Sequence, residues 1–367
     1  MNLHHAIATY RGHTIPHFRL IEKRNKWFAF SGIVILLSFG GLLFRHLNLS
    51  IDFEGGAKLE YPFQTEITAQ DVIQVLDANG HPGSEVQIVN GDTVSIRTGT
   101  LTENPEQSQA LLSALSDQAG ITTSDINQTD IGPTWGAEIS KKAIRGLIVV
   151  LIGIGAYIAF RFEPKMAAGA MIALLHDLII TVGVYALVGR EVTPATVIAV
   201  LTILGFSLYD TVVIYDKIKE NTESPAMVAK VGYAETVNRS MNQVLMRSVN
   251  TSLVVLLPIL SLLLFGGETL KDFAFAMFVG VGTGAYSSIF IAAPVLTILK
   301  AKEKKYQLLE QRRTTRSARG VPEVAAEGAA AAAVSNAAAS RSTARAGAPQ
   351  RARPKSKRKP PAKRKRR

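Results

Sequence analysis

Residues 204–216 read LGFSLYDTVVIYD, the end of a long apolar run that begins near Pro194. The run from 194 to 215 has about the length that spans a bilayer as a helix, roughly 20 residues. An ionised aspartate at bilayer depth costs at least about 2.5 kcal/mol, so it needs a partner, a proton or water. Asp210, inside this run, is therefore the first candidate functional residue.

The spacing of three and four residues places a polar stripe on one face of this predicted helix. The stripe contains Ser207, Asp210 and Thr211, and we expect it to face other helices. Two interpretations of Asp210 remain open, a structural ion pair or hydroxyl network and a carboxylate that titrates. The titrating carboxylate is favoured, because apolar side chains can replace a purely structural buried ion pair at little cost in stability. Asp216 falls at the membrane edge and is predicted to be an exposed charge.

Five other apolar stretches complete a predicted set of six membrane spans. The six cover residues 27–44, 143–160, 166–188, 194–215, 244–265 and 273–299. The predicted fold class is an α-helical polytopic membrane protein with one small α+β extracytoplasmic domain. Its predicted parts are an N-terminal arm (1–26), a first span (27–45), an external domain (46–142), a bundle of five spans (143–299) with a charged loop (216–241), and a disordered basic tail (300–367).

The distribution of Lys and Arg predicts the orientation, because positive residues stay on the cytoplasmic side. Basic residues crowd the N-terminal arm, the loop at 216–241 and the segment after Lys300. Between residues 47 and 140 the only Lys or Arg residues are Lys58 and Arg97. Both termini are therefore predicted to be cytoplasmic, with residues 46–142 outside, in a multi-pass protein of the cell membrane.

The segment from 46 to 142 alternates strand and helix patterns. Gly55 and Gly56 follow Asp52 and predict a tight turn that leads into a strand at 57–63. Thr68 and Asp71 form a predicted capping box for a helix at 68–79, and Asn90-Gly91 predicts a hairpin between strands at 85–90 and 92–98. A helix (104–118) and a strand (121–131) follow. This order predicts a ferredoxin-like split βαβ domain without a catalytic constellation, and the chain is not expected to be an enzyme.

Polar residues in other spans are candidate partners for Asp210. His176 and Asp177 lie near the middle of the third span, where direct proton handling and a purely structural hydrogen-bonded contact are equally good interpretations. Arg247 lies near the start of the fifth span, at a depth similar to that of Asp210, and is the natural counter-ion for that carboxylate, although a snorkelling arginine is the alternative. Asn250 and Thr251 add to this polar network.

The two ends of the chain are predicted to be solvated. The basic tail at 345–367 supplies much of the net charge of +12 and suits anionic lipid or ribosomal RNA, with lipid as the simpler partner. Specific DNA binding is not expected. The chain has no cysteine, so it forms no disulfide bond and has no thiol chemistry. The sequence predicts no metal site.

Five motifs in this order resemble those of the SecF proteins in the SecD/SecF family of protein-export membrane proteins. They are DFEGG at 52–56, IGP at 131–133 with Gly136 and Glu138, LHD at 175–177, the stretch 207–216, and RSVNTS at 247–252. The resemblance covers about residues 27–299 and implies a fold of the resistance-nodulation-division superfamily, in which two six-helix halves form one unit.

The resemblance also implies partners and roles. A SecD half, the SecY channel complex and the exported preprotein are the expected partners, with protons as the coupling ion and no cofactor. Asp210 is expected to titrate with Arg247 as its charge partner and Asp177 and His176 nearby. The placement of Gly and Pro, and not the resemblance, predicts that the Gly132-Pro133 turn is the hinge that lets the external domain swing.

Two rival functions remain open. One is a proton-driven exporter of small molecules or lipids from the same superfamily, working as a homodimer. The other is a scaffold that only stabilises the SecY channel. The single small external domain argues against the exporter, because such proteins usually carry larger ones. Co-purification with SecD separates the exporter from the export subunit.

Overall fold

A computed structural model describes residues 15–64, 67–89, 91–102, 104–223 and 225–318. The chain divides into two units, residues 1–310 and 311–367, and the first contains all the sites described below. Its helices and strands in chain order are α1 (Arg24–Phe44), β1 (Asn48–Leu49), α2 (Ile51–Glu54), β2 (Gly56–Pro62), α3 (Ala69–Ala78), β3 (Glu85–Val89), β4 (Thr93–Thr98), α4 (Pro105–Ala119), β5 (Asn127–Ile131), α5 (Pro133–Arg161), α6 (Pro164–Val188), β6 (Glu191–Val192), α7 (Pro194–Thr222), α8 (Pro225–Val231), α9 (Tyr233–Phe265), α10 (Glu268–Ser287), α11 (Ala293–Ala301) and α12 (Lys304–Ala318).

Six helices in the described part of the chain are long and apolar enough to cross a membrane, as the sequence predicts. They are α1, α5, α6, α7, α9 and a last helix in which a five-residue π turn, Ser288–Ala292, joins α10 to α11. Helices α6, α7 and α10–α11 form the buried centre, whereas α5 is buried over only 6% of its apolar window. Proline occupies the first turn of α5, α6 and α7, where no backbone N–H is needed.

A four-stranded antiparallel sheet lies at one end of the bundle, in the strand order β3-β4-β2-β5. Its core contains the fully buried side chains of Leu59, Tyr61, Ile96, Leu111 and Leu115, from two strands and α4. The predicted capping box of Thr68 and Asp71 at the start of α3 is confirmed, and so is the hairpin that joins β3 to β4. We call this part of the molecule, β2 to β5, the α+β domain.

A parallel pair of two-residue strands connects two distant parts of the chain at the end of the bundle next to the domain. Asn48 pairs with Glu191 and Leu49 with Val192, so β1, which follows α1, meets β6, which joins α6 to α7. The sequence does not predict this pair, since two residues carry no periodicity. Before the predicted turn at Gly55 and Gly56, residues 51–54 form the one-turn helix α2, which the sequence does not predict either.

Two predicted boundaries are wrong. Helix α5 begins at Pro133, so residues 133–142 belong to the helix and not to the domain. The predicted loop at 216–241 is mostly helical, because α7 continues to Thr222, α8 follows and α9 begins at Tyr233. The charged residues here accompany buried apolar ones such as Val237 and Met241, which makes these helices amphipathic. Helix α9 also continues through Pro258 without a break.

The predicted solvated arm is wrong for residues 18–21. Leu20 and Ile21 are buried, and two asparagines of α9 hold this segment. Asn242 bonds the N–H and the C=O of Phe18, each at 2.9 Å, and Asn238 accepts the N–H of Leu20 at 2.9 Å. The tail is not wholly irregular either, since α12 occupies residues 304–318. Residues 1–14 and the basic segment at 345–367 lie outside the described residues.

Candidate proton site in the helical bundle

Asp177 lies at the centre of the bundle and is completely buried. Its Oδ2 accepts hydrogen bonds from Ser207 Oγ of α7 at 2.6 Å and from Ser287 Oγ of α10 at 2.8 Å. Three helices therefore converge on one carboxyl group. Because buried polar groups are costly unless they are hydrogen-bonded, the two serines stabilise this arrangement.

His176 shares this buried site with Asp177. Its Nδ1 lies 3.0 Å from Asp177 Oδ1, and its Nε2 lies 3.2 Å from Ser31 Oγ of α1. Ser31 Oγ in turn lies 3.0 Å from the hydroxyl of Tyr286, which donates to the Trp27 carbonyl at 3.1 Å. The chain of hydrogen bonds thus extends from Asp177 to the first turn of α1.

Sequence reasoning missed Ser31 and Tyr286. The available signal was a polar side chain inside an apolar span, which Ser31 and Ser38 both show on α1. Both serines are buried against α6 or α10. A small hydroxyl residue in a span is common where helices approach closely, so it does not by itself identify a partner of His176.

Asp210 lies three residues beyond Ser207 on the same face of α7, a separation of about 4.5 Å along the helix axis. It is 5% exposed, and its Oδ2 accepts a hydrogen bond from Ser248 Oγ of α9 at 2.5 Å. The predicted stripe is therefore buried as a unit, because Ser207 and Thr211 are buried as well. Thr211 Oγ1 lies 3.0 Å from Ser288 Oγ of the π turn.

Arg247 neighbours Ser248 on α9 and interacts electrostatically with Asp210 without a direct contact. Its side chain is exposed, and Nη2 lies 3.5 Å from the hydroxyl of Tyr209. Within the described part of the chain, no ion pair within 4.0 Å joins Arg247 to Asp210. Thr251 bonds the Arg247 carbonyl at 2.8 Å, and Asn250 is half-buried beside it.

Glycines let these helices approach closely. A Cβ at Gly284 of α10 would lie 2.9 Å from the Ser207 Cβ, and one at Gly280 would lie 2.6 Å from Ile203 Cγ1. Such spacing is tighter than real Cβ contacts, so α10 needs glycine to reach α7. The short separation brings the hydroxyls of Ser207 and Ser287 to the same carboxylate.

Of the motif residues on either side of the α+β domain, Gly55 and Pro133 lie close together. Gly55 has φ +82°, and a Cβ there would lie 2.8 Å from the Pro133 Cα. Gly56 has φ +120°, and a Cβ would lie 2.6 Å from the Thr98 carbonyl. Asp52 accepts a hydrogen bond from Ser50 Oγ at 3.0 Å, whereas Gly132 precedes α5 in open space.

The described residues contain no group of three or more His, Asp or Glu side chains arranged to hold a metal ion. The buried site contains two carboxyl groups, one imidazole and several hydroxyls. Carboxyl and imidazole groups are the types that proton relays in membrane spans use, so this cluster is a candidate proton site.

Comparisons with known proteins agree on one family. Residues 112–302 match the model "Protein export membrane protein SecD/SecF, C-terminal", and residues 40–67 match "SecD/SecF GG Motif". Protein translocase subunit SecF of Streptomyces coelicolor is 39% identical over 309 residues, which cover 83% of this chain and 82% of that protein.

Longer proteins also match. Protein translocase subunit SecDF of Thermus thermophilus is 34% identical over 79% of this chain. The crystal structure of SecDF, described as a translocon-associated membrane protein, superposes with a TM-score of 0.71 at 32% identity. That superposition covers 78% of this chain, which spans only 39% of the SecDF chain.

Proposed function

The chain belongs to the SecD/SecF family of protein-export membrane proteins, an accessory part of the Sec translocase, and we propose that it uses proton flow to drive the late steps of export. One observation carries this proposal. Asp177 and Asp210 are buried within candidate spans, and in the described residues neither has a Lys or Arg within ion-pair distance. An ionisable residue within a membrane span is rare and commonly marks a proton relay, because burial at bilayer depth is costly without a function that needs it.

Proton binding would change the packing of the helices. The hydroxyls of Ser207 and Ser287 donate to Asp177, and that of Ser248 donates to Asp210. An added proton occupies a lone pair and turns the carboxylate into a donor, so these hydrogen bonds rearrange. Each proton that falls through 100 mV releases about 2.3 kcal/mol, enough to shift such a contact.

We assign the second half of the proton-conducting unit to a SecD subunit. This chain spans 39% of the SecDF chain, and the remainder of that chain is the natural source of a partner half. Exposed polar groups on α7 and α9 support a protein partner, since Tyr209 is 50% exposed and the Arg247 guanidinium lies beside it. A guanidinium that faced lipid would be costly, so we place the SecD half on this face.

The remaining assignments follow from charge and topology. We place the N- and C-termini in the cytoplasm and residues 46–142 outside. Lys and Arg are dense in the terminal segments and in residues 216–241, whereas residues 47–140 contain only two of them. We class the α+β domain as ferredoxin-like on its strand order.

The SecY channel complex, the preprotein and the lipid bilayer are the proposed contacts, with protons as the coupling ion and no cofactor. The tail at 345–367 is proposed to bind anionic lipid.

Proton flux in reconstituted vesicles tests the proposal. The full chain, co-reconstituted with SecD, is placed in vesicles that contain a pH-sensitive dye, and an external acid pulse is applied. We expect Asp210→Asn to abolish the flux that the wild type supports. Asp216→Asn is the matched control, because this carboxylate lies on the same helix and is exposed beside Arg161. Equal flux in Asp210→Asn and wild type would reject Asp210 as the proton site.

A further inference from the structure

The α+β domain has two basic residues at paired positions of neighbouring strands. Lys58 on β2 is the register partner of Arg97 on β4, and they are the only Lys or Arg residues between 47 and 140. Their environments differ. Lys58 pairs with Glu60 of its own strand at 2.8 Å and interacts electrostatically with Glu191 of β6, whereas the Arg97 side chain, only 17% exposed, makes direct hydrogen bonds outside the sheet.

The Arg97 guanidinium binds the strand that follows α1. Nη2 donates to the Leu49 carbonyl at 2.8 Å and Nη1 to Asn48 Oδ1 at 2.5 Å. These two residues form β1, outside the four-stranded sheet. A guanidinium carries a rigid, planar set of five donors, so it holds two acceptors at fixed positions.

Three carboxylates surround the same guanidinium. Glu85 lies 3.3 Å from Arg97, Glu54 lies 3.8 Å away and Glu191 lies 3.9 Å away. Each belongs to a different element, namely β3, α2 and β6. Arg97 is thus in contact with the domain, with the segment after α1 and with the connection between α6 and α7.

That connection joins the two candidate proton helices. Strand β6 contains only Glu191 and Val192, and it separates α6, which carries Asp177, from α7, which carries Asp210. Beside Arg97 a polar cleft of about 330 Å³ separates the sheet from Arg190 and Asp272. Because this cleft is open, the domain does not rest there on an apolar interface. Arg97 bridges to the β1–β6 pair by direct hydrogen bonds to Asn48 and Leu49.

We propose that Arg97 is the positioning residue that transmits movement of α6 and α7, through the β1–β6 pair, to the α+β domain. The inference rests on the proposed function, since proton binding is what moves these helices. The contact of Gly55 with Pro133 links the domain to α5 and does not involve β6. Loss of Arg97 therefore leaves the domain folded and attached, but no longer coupled to the helices of the proton site.

Pulsed spin-label distances test the link in the full chain bound to SecD. The chain has no cysteine, so label pairs are introduced without background. One pair joins Gln128 of β5 to Val188 at the end of α6, and a second pair lies within the domain, at Gln128 and Asp77. We expect Arg97→Ala to broaden the first distance distribution and to leave the second unchanged. Lys142→Ala, the matched control, should change neither, because Lys142 is exposed on α5 and pairs with Glu138 of the same helix. Arg97→Lys should restore the first distribution only in part.

An unchanged Gln128–Val188 distribution in Arg97→Ala would overturn the proposal. Broadening of both distributions would overturn it as well, because it would mean that Arg97 is needed for the domain to fold. A second readout is export driven by an imposed proton gradient, which Arg97→Ala should largely lose while Lys142→Ala retains it. Full export in Arg97→Ala would also overturn the proposal. The distances need no gradient, so they test the link even if Asp210→Asn shows that proton coupling is absent.

Discussion

Serine hydroxyl groups donate hydrogen bonds to the buried carboxyl groups of Asp177 and Asp210, so removing one of them is expected to lower the stability of the bundle. Ser248→Ala removes the donor to Asp210 Oδ2, and loss of a partner to a buried polar group costs about 1–3 kcal/mol. We expect a lower midpoint of thermal unfolding for the purified complex with SecD. Ser252→Ala is the matched control, because Ser252 is also buried on α9 but donates only to the Ser248 carbonyl. Equal midpoints for the two variants would contradict a specific role of Ser248.

At the level of single residues, the sequence predicted Asp210, Asp177 and His176 as a polar group, because a carboxylate in an apolar run is conspicuous. It did not predict that adjacent His176 and Asp177 bond each other, since neighbouring residues point about 100° apart on a helix. It placed Arg247 as the counter-ion of Asp210 from depth alone. Depth does not determine the exact contacts of a long side chain. In the structure the Arg247 guanidinium lies 3.5 Å from the Tyr209 hydroxyl and acts on Asp210 electrostatically, without a direct ion pair.

At the level of elements, the contact between α1 and α6 depends on glycine. A Cβ at Gly183 would lie 2.6 Å from the Ser38 Cα, so an added methyl group must push the two helices apart. We expect Gly183→Ala to destabilise the bundle by about 1–3 kcal/mol. Gly40→Ala on α1 serves as the control, because its Cβ would have no neighbour within 4 Å and alanine favours helix. Chemical denaturation of the detergent-solubilised chain measures both, and a neutral Gly183→Ala would refute the close contact.

The capping box at the start of α3 predicts a pH dependence. The hydroxyl and the backbone N–H of Thr68 donate to Asp71 and hold the pKa of its carboxyl below the usual value. Because the folded-state pKa is the lower one, this stabilisation is complete above the unfolded pKa of about 4 and is lost as pH falls through the folded value. We expect hydrogen-exchange protection of residues 69–72 to decrease between pH 6 and pH 3 in wild type but not in Asp71→Asn. A similar decrease in both would contradict the assignment.

Elements with strong local signals were predictable, and those fixed by tertiary contacts were not. The capping box and the hairpin follow from local hydrogen bonds and glycine conformations, so the sequence alone identified them. The helices within 216–241 were missed because their charge suggested a loop, although Val237 and Met241 are buried on one face. The strand pair β1–β6 joins residues more than 140 positions apart, and no local pattern reports such a contact.

At the scale of the whole molecule, this chain presents a surface suited to a second half. Arg247 and Tyr209 are exposed within candidate spans, where lipid contact is unfavourable for a guanidinium. We expect Arg247→Ala to lower the amount of SecD that co-purifies with the full chain. Arg239→Ala on the same helix is the control, because Arg239 pairs with Glu235 near the helix start. Unchanged SecD recovery in Arg247→Ala would place the partner on another face.

The most direct test of the account is completion of export without ATP, in inverted vesicles that contain this chain, SecD and the SecY channel under an imposed proton gradient. Asp210→Asn is compared with wild type and with Asp216→Asn. The account predicts that wild type and Asp216→Asn complete export in response to the gradient, while Asp210→Asn assembles with SecD but does not respond. An equal response of Asp210→Asn and wild type would contradict proton coupling at Asp210.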